Sequence, residues 1–194
     1  MSKILLINTG KTQYVEGSLN CVTNGSYMFR SCTNLTSFTS DLSSLTDGDY
    51  MFEGCSNLTS FTSDLSSLTN GNYMFSGCSN LTSFNGDLSS LTDGNNMFRN
   101  CTYLTSFSSD LSSLTNGSSM FGSSSYNCTA LNLASIENIS ETINNLNAQG
   151  KRGTIHIGMS KTLQSDDSAA PVNVALAAIR AKGWTVTEIY NSTL

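Results

Sequence analysis

Methionines at positions 28, 51, 74, 97 and 120 fall 23 residues apart, and each opens a Met-Phe pair. Behind four of them the chain runs almost the same string: MFRSCTNLTSFTSDLSSLTDG from Met28, MFEGCSNLTSFTSDLSSLTNG from Met51, MFSGCSNLTSFNGDLSSLTDG from Met74 and MFRNCTYLTSFSSDLSSLTNG from Met97. A unit this short cannot bury its own apolar face. It must bury that face against the copies before and after it, so every unit has to offer its neighbours the same surface. The near-identity of the strings follows from that requirement.

A fixed period of 20 to 29 residues with leucine in register is the signature of a leucine-rich solenoid. Met28, Phe29, Cys32, Leu35, Phe38, Leu42 and Leu45 recur in type in every copy and are assigned to the core. LTSF and the two residues after it read as a short strand, with Leu35 and Phe38 inward and Ser37 and Thr39 outward. Stacked coils lay such strands side by side as a parallel sheet about 4.8 Å apart. The expected architecture is α/β but mostly β: about eight parallel strands, with helices only at the C-terminal end. Gly48, Gly71, Gly94 and Gly117 each follow Asp or Asn, and such dipeptides mark turns in which glycine takes a positive φ.

The whole chain, 1–194, reads as one domain. Residues 18–27, SLNCVTNGSY, align with DLSSLTDGDY one period later, and the match fades upstream. Residues 1–27 are therefore a degenerate N-terminal cap, 28–119 four full repeats, and 120–194 a final repeat with a helical cap. In that last part NCTAL at 127–131 matches NCTYL at 100–104, but four residues late, which predicts a bulged loop in GSSSY. Ile136, Ile139, Ile143 and Leu146 have helical spacing, with Ser135 as N-cap and Gly150 as the stop. TIHIG (154–158) and WTVTEIY (184–190) read as strands, Pro171 to Lys182 as a helix, and Trp184 as a cover for the core's end.

The string MF-x-G-C-S-N-L-T-S-F followed by D-L-S-S-L-T-N-G resembles the BspA-like leucine-rich repeats, strongly over 28–119 and more weakly over 12–27 and 120–135. The ending KGWTV is similar to endings of such repeats in gut bacteria and their phages. The resemblance implies a surface protein that binds host matrix, other bacteria or glycans, or a phage virion protein. The short apolar run Ile4 to Ile7 is too small for a signal-peptide core, and no anchoring tail is visible. Both suit a virion protein assembled in the cytoplasm. The expected location is a virion or the cell surface.

Net charge is −5, and no cluster of Lys and Arg stands out. Nucleic acid and anionic membranes are thereby excluded as partners, and no apolar run is long enough to span a bilayer. Cys32, Cys55, Cys78 and Cys101 form a ladder at the repeat spacing. A linear row does not converge as a zinc site must, and free cysteine packs as a small apolar residue. Cys21 takes the place of Ser44 and lies apart from this ladder. Asp41, Asp64, Asp87 and Asp110 each precede LSSL and can accept backbone N–H bonds from the following turn. Alternatively, stacked carboxylates repel one another, raising their pKa values or attracting a cation such as calcium.

Ser37, Thr39, Ser60, Thr62, Ser83, Asn85, Ser106 and Ser108 should line the exposed strand face. They form either a plain solvated surface or a polar groove for an extended polymer such as a glycan. Tyr50, Tyr73 and Tyr103 on the coil edges are weak candidates for an aromatic platform. The varied residues Arg30, Glu53, Ser76 and Arg99 mark an exposed position where specificity could also sit. His156, between Ile155 and Ile157, should face away from the core. No nucleophile is placed beside it, so no enzyme and no cofactor is expected. The reading is a non-enzymatic binding or adhesion module whose partner is a protein or glycan on a cell surface. The alternative is a virion structural protein held by other virion proteins.

Overall fold

The computed structural model describes residues 18–123, 129–143, 145–146, 153–159 and 169–190. The repeats form a solenoid of stacked coils. Along one edge the coils are joined by a backbone ladder that runs without a break. Gly25 N donates to Asp47 O, Gly48 N to Asn70 O, Gly71 N to Asp93 O and Gly94 N to Asn116 O, at 2.8–2.9 Å. Gly117 N then donates to Thr154 O of the C-terminal unit. Elsewhere on each coil lies one short strand: β1 (Ser37–Phe38), β2 (Ser60–Phe61), β3 (Ser83–Phe84) and β4 (Ser106–Phe107).

These strands are two residues long, not six, because only the Ser-Phe step runs straight between two turns. They pair in parallel as β1 with β2 and β3 with β4, in register Ser37 to Ser60 and Ser83 to Ser106. Among the described residues there are six strands, where about eight were expected. The continuous ladder runs through the Asn/Asp positions instead.

Two aromatic columns fill the core. Phe29, Phe52, Phe75, Phe98 and Phe121 stack with ring centroids 5.3–5.8 Å apart. Phe38, Phe61, Phe84 and Phe107 form a second stack. The columns meet edge to face, as Phe61 and Phe75 do at 4.8 Å. Offset stacking within a column and edge contact between columns both suit the ring quadrupole. Each buried phenylalanine also contributes about 1.5–3 kcal/mol by leaving water. The seven core assignments hold except at Met28, which is only half-buried.

The reason for that exception also corrects the reading of the turn glycines. None of Gly48, Gly71, Gly94 and Gly117 has a positive φ. The left-handed residues stand two places later: Tyr50, Tyr73, Asn96 and Ser119. What the glycine provides is room. A β-carbon on Gly48 would lie 2.9 Å from Met74 Sδ and 3.2 Å from Leu68 Cδ1, and Gly25 stands likewise 2.8 Å from Met51 Sδ. Each methionine from Met51 to Met120 tucks under a glycine of the preceding coil. Met28 has no such glycine among the described residues.

α1 (Leu133–Thr142) follows the last coil. Its N-cap is Asn132, not Ser135: the Asn132 Oδ1 accepts from the Ser135 backbone N–H at 3.0 Å. Ser135 is buried, and its Oγ accepts from the Phe107 N–H at 2.8 Å, tying the helix to β4. The helix ends before Ile143, whose backbone is extended. Ile143 and Leu146 are buried nonetheless. The expected stop, Gly150, and the bulge at 124–128 lie outside the described residues.

β5 (Gly153–Met159) and β6 (Trp184–Tyr190) pair in parallel across α2 (Ala169–Ala181). Trp184 and Leu146 close over Gly153, where a β-carbon would meet them at 2.8 and 2.6 Å. Lys182 Nζ donates to the carbonyls of Ser140 and Glu141, both at 2.8 Å, capping the last turn of α1 with a cation.

Candidate functional site

Repetition brings the eight polar residues of the strand face together. Ser37 is half-buried; Thr39, Ser60, Thr62, Ser83, Asn85, Ser106 and Ser108 are exposed. Among the described residues, none of these eight side chains is hydrogen-bonded to another part of the chain. Their donors and acceptors face outward, one set per coil.

Two other polar rows are spent internally. Thr46, Thr69, Thr92 and Thr115 each donate Oγ1–H to the carbonyl of the threonine one coil earlier, at 2.9–3.0 Å. Next to them runs Asn24, Asp47, Asn70, Asp93, Asn116, in strict alternation of amide and acid. Asp47 accepts from Asn24 Nδ2 at 3.1 Å and from Asn70 Nδ2 at 2.9 Å, and Asp93 from Asn116 Nδ2 at 3.0 Å. Within this row each carboxylate therefore has an amide, and not another carboxylate, as its bonded neighbour. The alternation was visible in the sequence but has meaning only once the coils are stacked.

Asp41, Asp64, Asp87 and Asp110 are exposed beside the strand face. Each accepts the backbone N–H two residues on, from Ser43, Ser66, Ser89 and Ser112, at 2.7–2.9 Å. That is an Asx turn, and it bears out the expected bonding to the following turn. Mutual repulsion does not raise Asp41 or Asp87 as the alternative required. The Ser43 and Ser89 bonds hold Asp41 and Asp87 below the ordinary carboxylate value. Among the described residues no three His, Cys, Asp or Glu side chains gather as metal ligands.

Between the second and third coils the strand face opens into a groove of about 570 Å³, lined by Thr62, Ser63, Asp64, Ser66, Asn85, Gly86 and Asp87. Two predicted face residues thus meet two of the aspartates. The signal for it lay in one deviation: Asn85-Gly86 stands where the other coils have Thr-Ser or Ser-Ser.

The tyrosines do not form an open platform. Tyr27, Tyr50 and Tyr73 stack at 5.0 and 4.6 Å, so Tyr50 has a ring on each face, while Tyr27 at the end of the stack is exposed. Arg30 sits 5.6 Å from the first two ring centres and pairs with Glu53. Tyr103 is exposed but stands apart from this stack.

The cysteine ladder is core. Cys55, Cys78 and Cys101 donate Sγ–H to the carbonyls of Phe29, Phe52 and Phe75 at 3.1–3.3 Å. Burial pushes the Cys55 thiol up to about 12 and raises Cys78 and Cys101 as well. Cys21 is exposed. His156 accepts the Ser119 backbone N–H on Nδ1 at 2.8 Å, which joins β5 to the last coil; partial burial lowers its pKa.

Stacked coils with a buried aliphatic and aromatic ladder and an exterior of repeated polar rows define a leucine-rich repeat solenoid, an architecture of binding modules. The BspA type leucine rich repeat region matches residues 22–150 in six copies, and the chain belongs to that family. Neither the curated proteins nor the solved structures contain a match to it. Leucine-rich repeat domains of this kind mediate protein interactions and are generally not enzymes. Among the described residues no helix is long and apolar enough to cross a membrane.

Proposed function

We propose that this protein is a non-enzymatic binding and adhesion module that recognises a surface polymer or protein through its strand face. The observation that carries this is the contrast between polar rows that bond from coil to coil and the polar row of the strand face, which does not. The Thr and Asn/Asp rows bond from coil to coil. Ser37, Thr39, Ser60, Thr62, Ser83, Asn85, Ser106 and Ser108 do not. Rows repeated at coil spacing suit a partner that itself repeats, because each coil adds one weak contact and the contacts act together. Such a role calls for display at a cell surface or on a virion.

The test is binding of the labelled protein to intact gut bacteria and, in parallel, to host matrix proteins. Saturable binding is expected on one of them, lost when Ser60 and Ser83 are both replaced by arginine. Binding that ignores this double substitution would move the interaction to another face, and silence on both surfaces would refute the reading.

A further inference from the structure

Three features mark the groove between the second and third coils, and the first and third set it apart from the rest of the strand face. First, its backbone ladder is open. The first and second coils are joined by Thr59 N to Thr36 O and Thr62 N to Phe38 O, at 2.9 and 3.2 Å. The third and fourth are joined by Thr105 N to Thr82 O and Ser108 N to Phe84 O, at 3.1 Å. The corresponding bonds across the groove, Thr82 N to Thr59 O and Asn85 N to Phe61 O, are not made, and β2 and β3 do not pair.

Second, Ser63 lines this groove at 5% exposure with its Oγ lacking any partner, a state it shares with Ser109 of the fourth coil. A buried hydroxyl left unpaired is a standing penalty of about 1–3 kcal/mol that a bound polar group would remove. Third, Gly86 makes the opening. A β-carbon there would lie 2.9 Å from the Phe84 ring, so the chain turns tightly over that ring where the other coils carry Ser40, Ser63 and Ser109.

We infer that this groove is a subsite for one neutral, polyhydroxylated sugar unit, seated between Asp64 and Asp87. The inference rests on the reading of the strand face as a binding surface and narrows it to one place and one ligand class. The groups present match sugar hydroxyls. Asp64 and Asp87 each hold a backbone N–H on Oδ1 and have Oδ2 left to accept a hydroxyl proton. The Asn85 amide and the Thr62 and Ser66 hydroxyls supply both donors and acceptors. Calcium fits less well, since it takes six to eight oxygens with several carboxylates, and only two acidic side chains line the groove.

The experiment is an amide chemical-shift titration of the full chain with methyl glucopyranoside, methyl galactopyranoside and methyl mannopyranoside, with calcium chloride in a separate arm. Saturable shifts at Ser63–Ser66 and Asn85–Asp87 are expected with at least one glycoside. Gly86→Ser restores the residue found in the other coils and should close the groove. Asp64→Asn with Asp87→Asn keeps both Asx turns and removes the charged acceptors. Each variant should weaken glycoside binding by at least about tenfold, the equivalent of one lost charge-assisted hydrogen bond. Shifts produced by calcium alone, glycoside shifts confined to other coils, or binding indifferent to both variants would overturn the subsite. So would the absence of any shift. Cell and matrix binding measured on the same variants separates the two ideas: polymer binding that survives Gly86→Ser and is lost in the Ser60/Ser83 arginine variant keeps the wider reading and rejects the groove.

Discussion

Replacing Asn70 by aspartate would put three carboxylates, 47, 70 and 93, on adjacent coils. The new side chain keeps the oxygen that accepts from the Asn72 backbone N–H at 3.1 Å, so the local turn survives. What disappears is the 2.9 Å bond from Nδ2 to Asp47 Oδ1, a hydrogen bond to a charged group worth about 1.5–3 kcal/mol. What is added is repulsion with Asp47 on one side and Asp93 on the other. At a coil spacing of about 4.8 Å, each pair costs about 0.9 kcal/mol in bulk water and about 3.5 kcal/mol at an effective dielectric near 20. Asp47 and Asp93 are half-exposed, which favours the lower figure. The expected loss is about 3–5 kcal/mol at neutral pH and low salt.

Urea unfolding measures it, with Asn70→Ala as the control that removes the bond without adding charge. The aspartate variant should recover most of its repulsive penalty in about 1 M salt, where screening acts over about 3 Å. It should recover again near pH 3, below the ordinary carboxylate pKa of about 4. The alanine variant should show neither recovery. If Asn70→Asp and Asn70→Ala lose the same stability at every salt and pH, the alternation of acid and amide has no electrostatic role.

Gly48→Ala should destabilise by about 1–3 kcal/mol through overpacking against Met74 and Leu68, and less in a Met74→Ala background; equal losses in both backgrounds would refute the packing account. A maleimide should label Cys21 in the folded protein and leave Cys32, Cys55, Cys78 and Cys101 untouched until denaturant is added, because these four are buried and burial raises their thiol pKa values; mass spectrometry of labelled peptides checks it. His156 favours its neutral form on folding, since its pKa falls below the ordinary 6.5. Its contribution should be whole above about pH 6.5 and lost as pH drops through the lowered value. Melting temperature should therefore decline between pH 7 and 5 more steeply than in His156→Gln, and parallel curves would exclude the role.

Much of this molecule could be read directly. The period, the inward residues, the exposed strand face, the Asx aspartates and the C-terminal strands and second helix all follow from local patterns. Errors arose where a neighbour in space decided the outcome. The Gly48 type of glycine looked like a turn residue, and its reason is a methionine 26 residues away. Ser135 looked like a helix cap, and its hydroxyl is taken by the Phe107 amide of an earlier coil. The Ser-Phe strands looked longer because sequence shows the pattern of a strand but not where its hydrogen-bond partner stops.

A repeat determines by itself what each coil offers its neighbours, because identical units must bury identical faces: solenoid, core ladder and polar exterior were all present in the string. Stacking decided which polar groups satisfy one another and which are left over. The Thr46 hydroxyl and the Asn70 amide find partners one coil away, whereas the Ser63 and Ser109 hydroxyls and the Thr62–Asn85 seam do not. That difference depends on distances between coils, which a linear sequence does not contain.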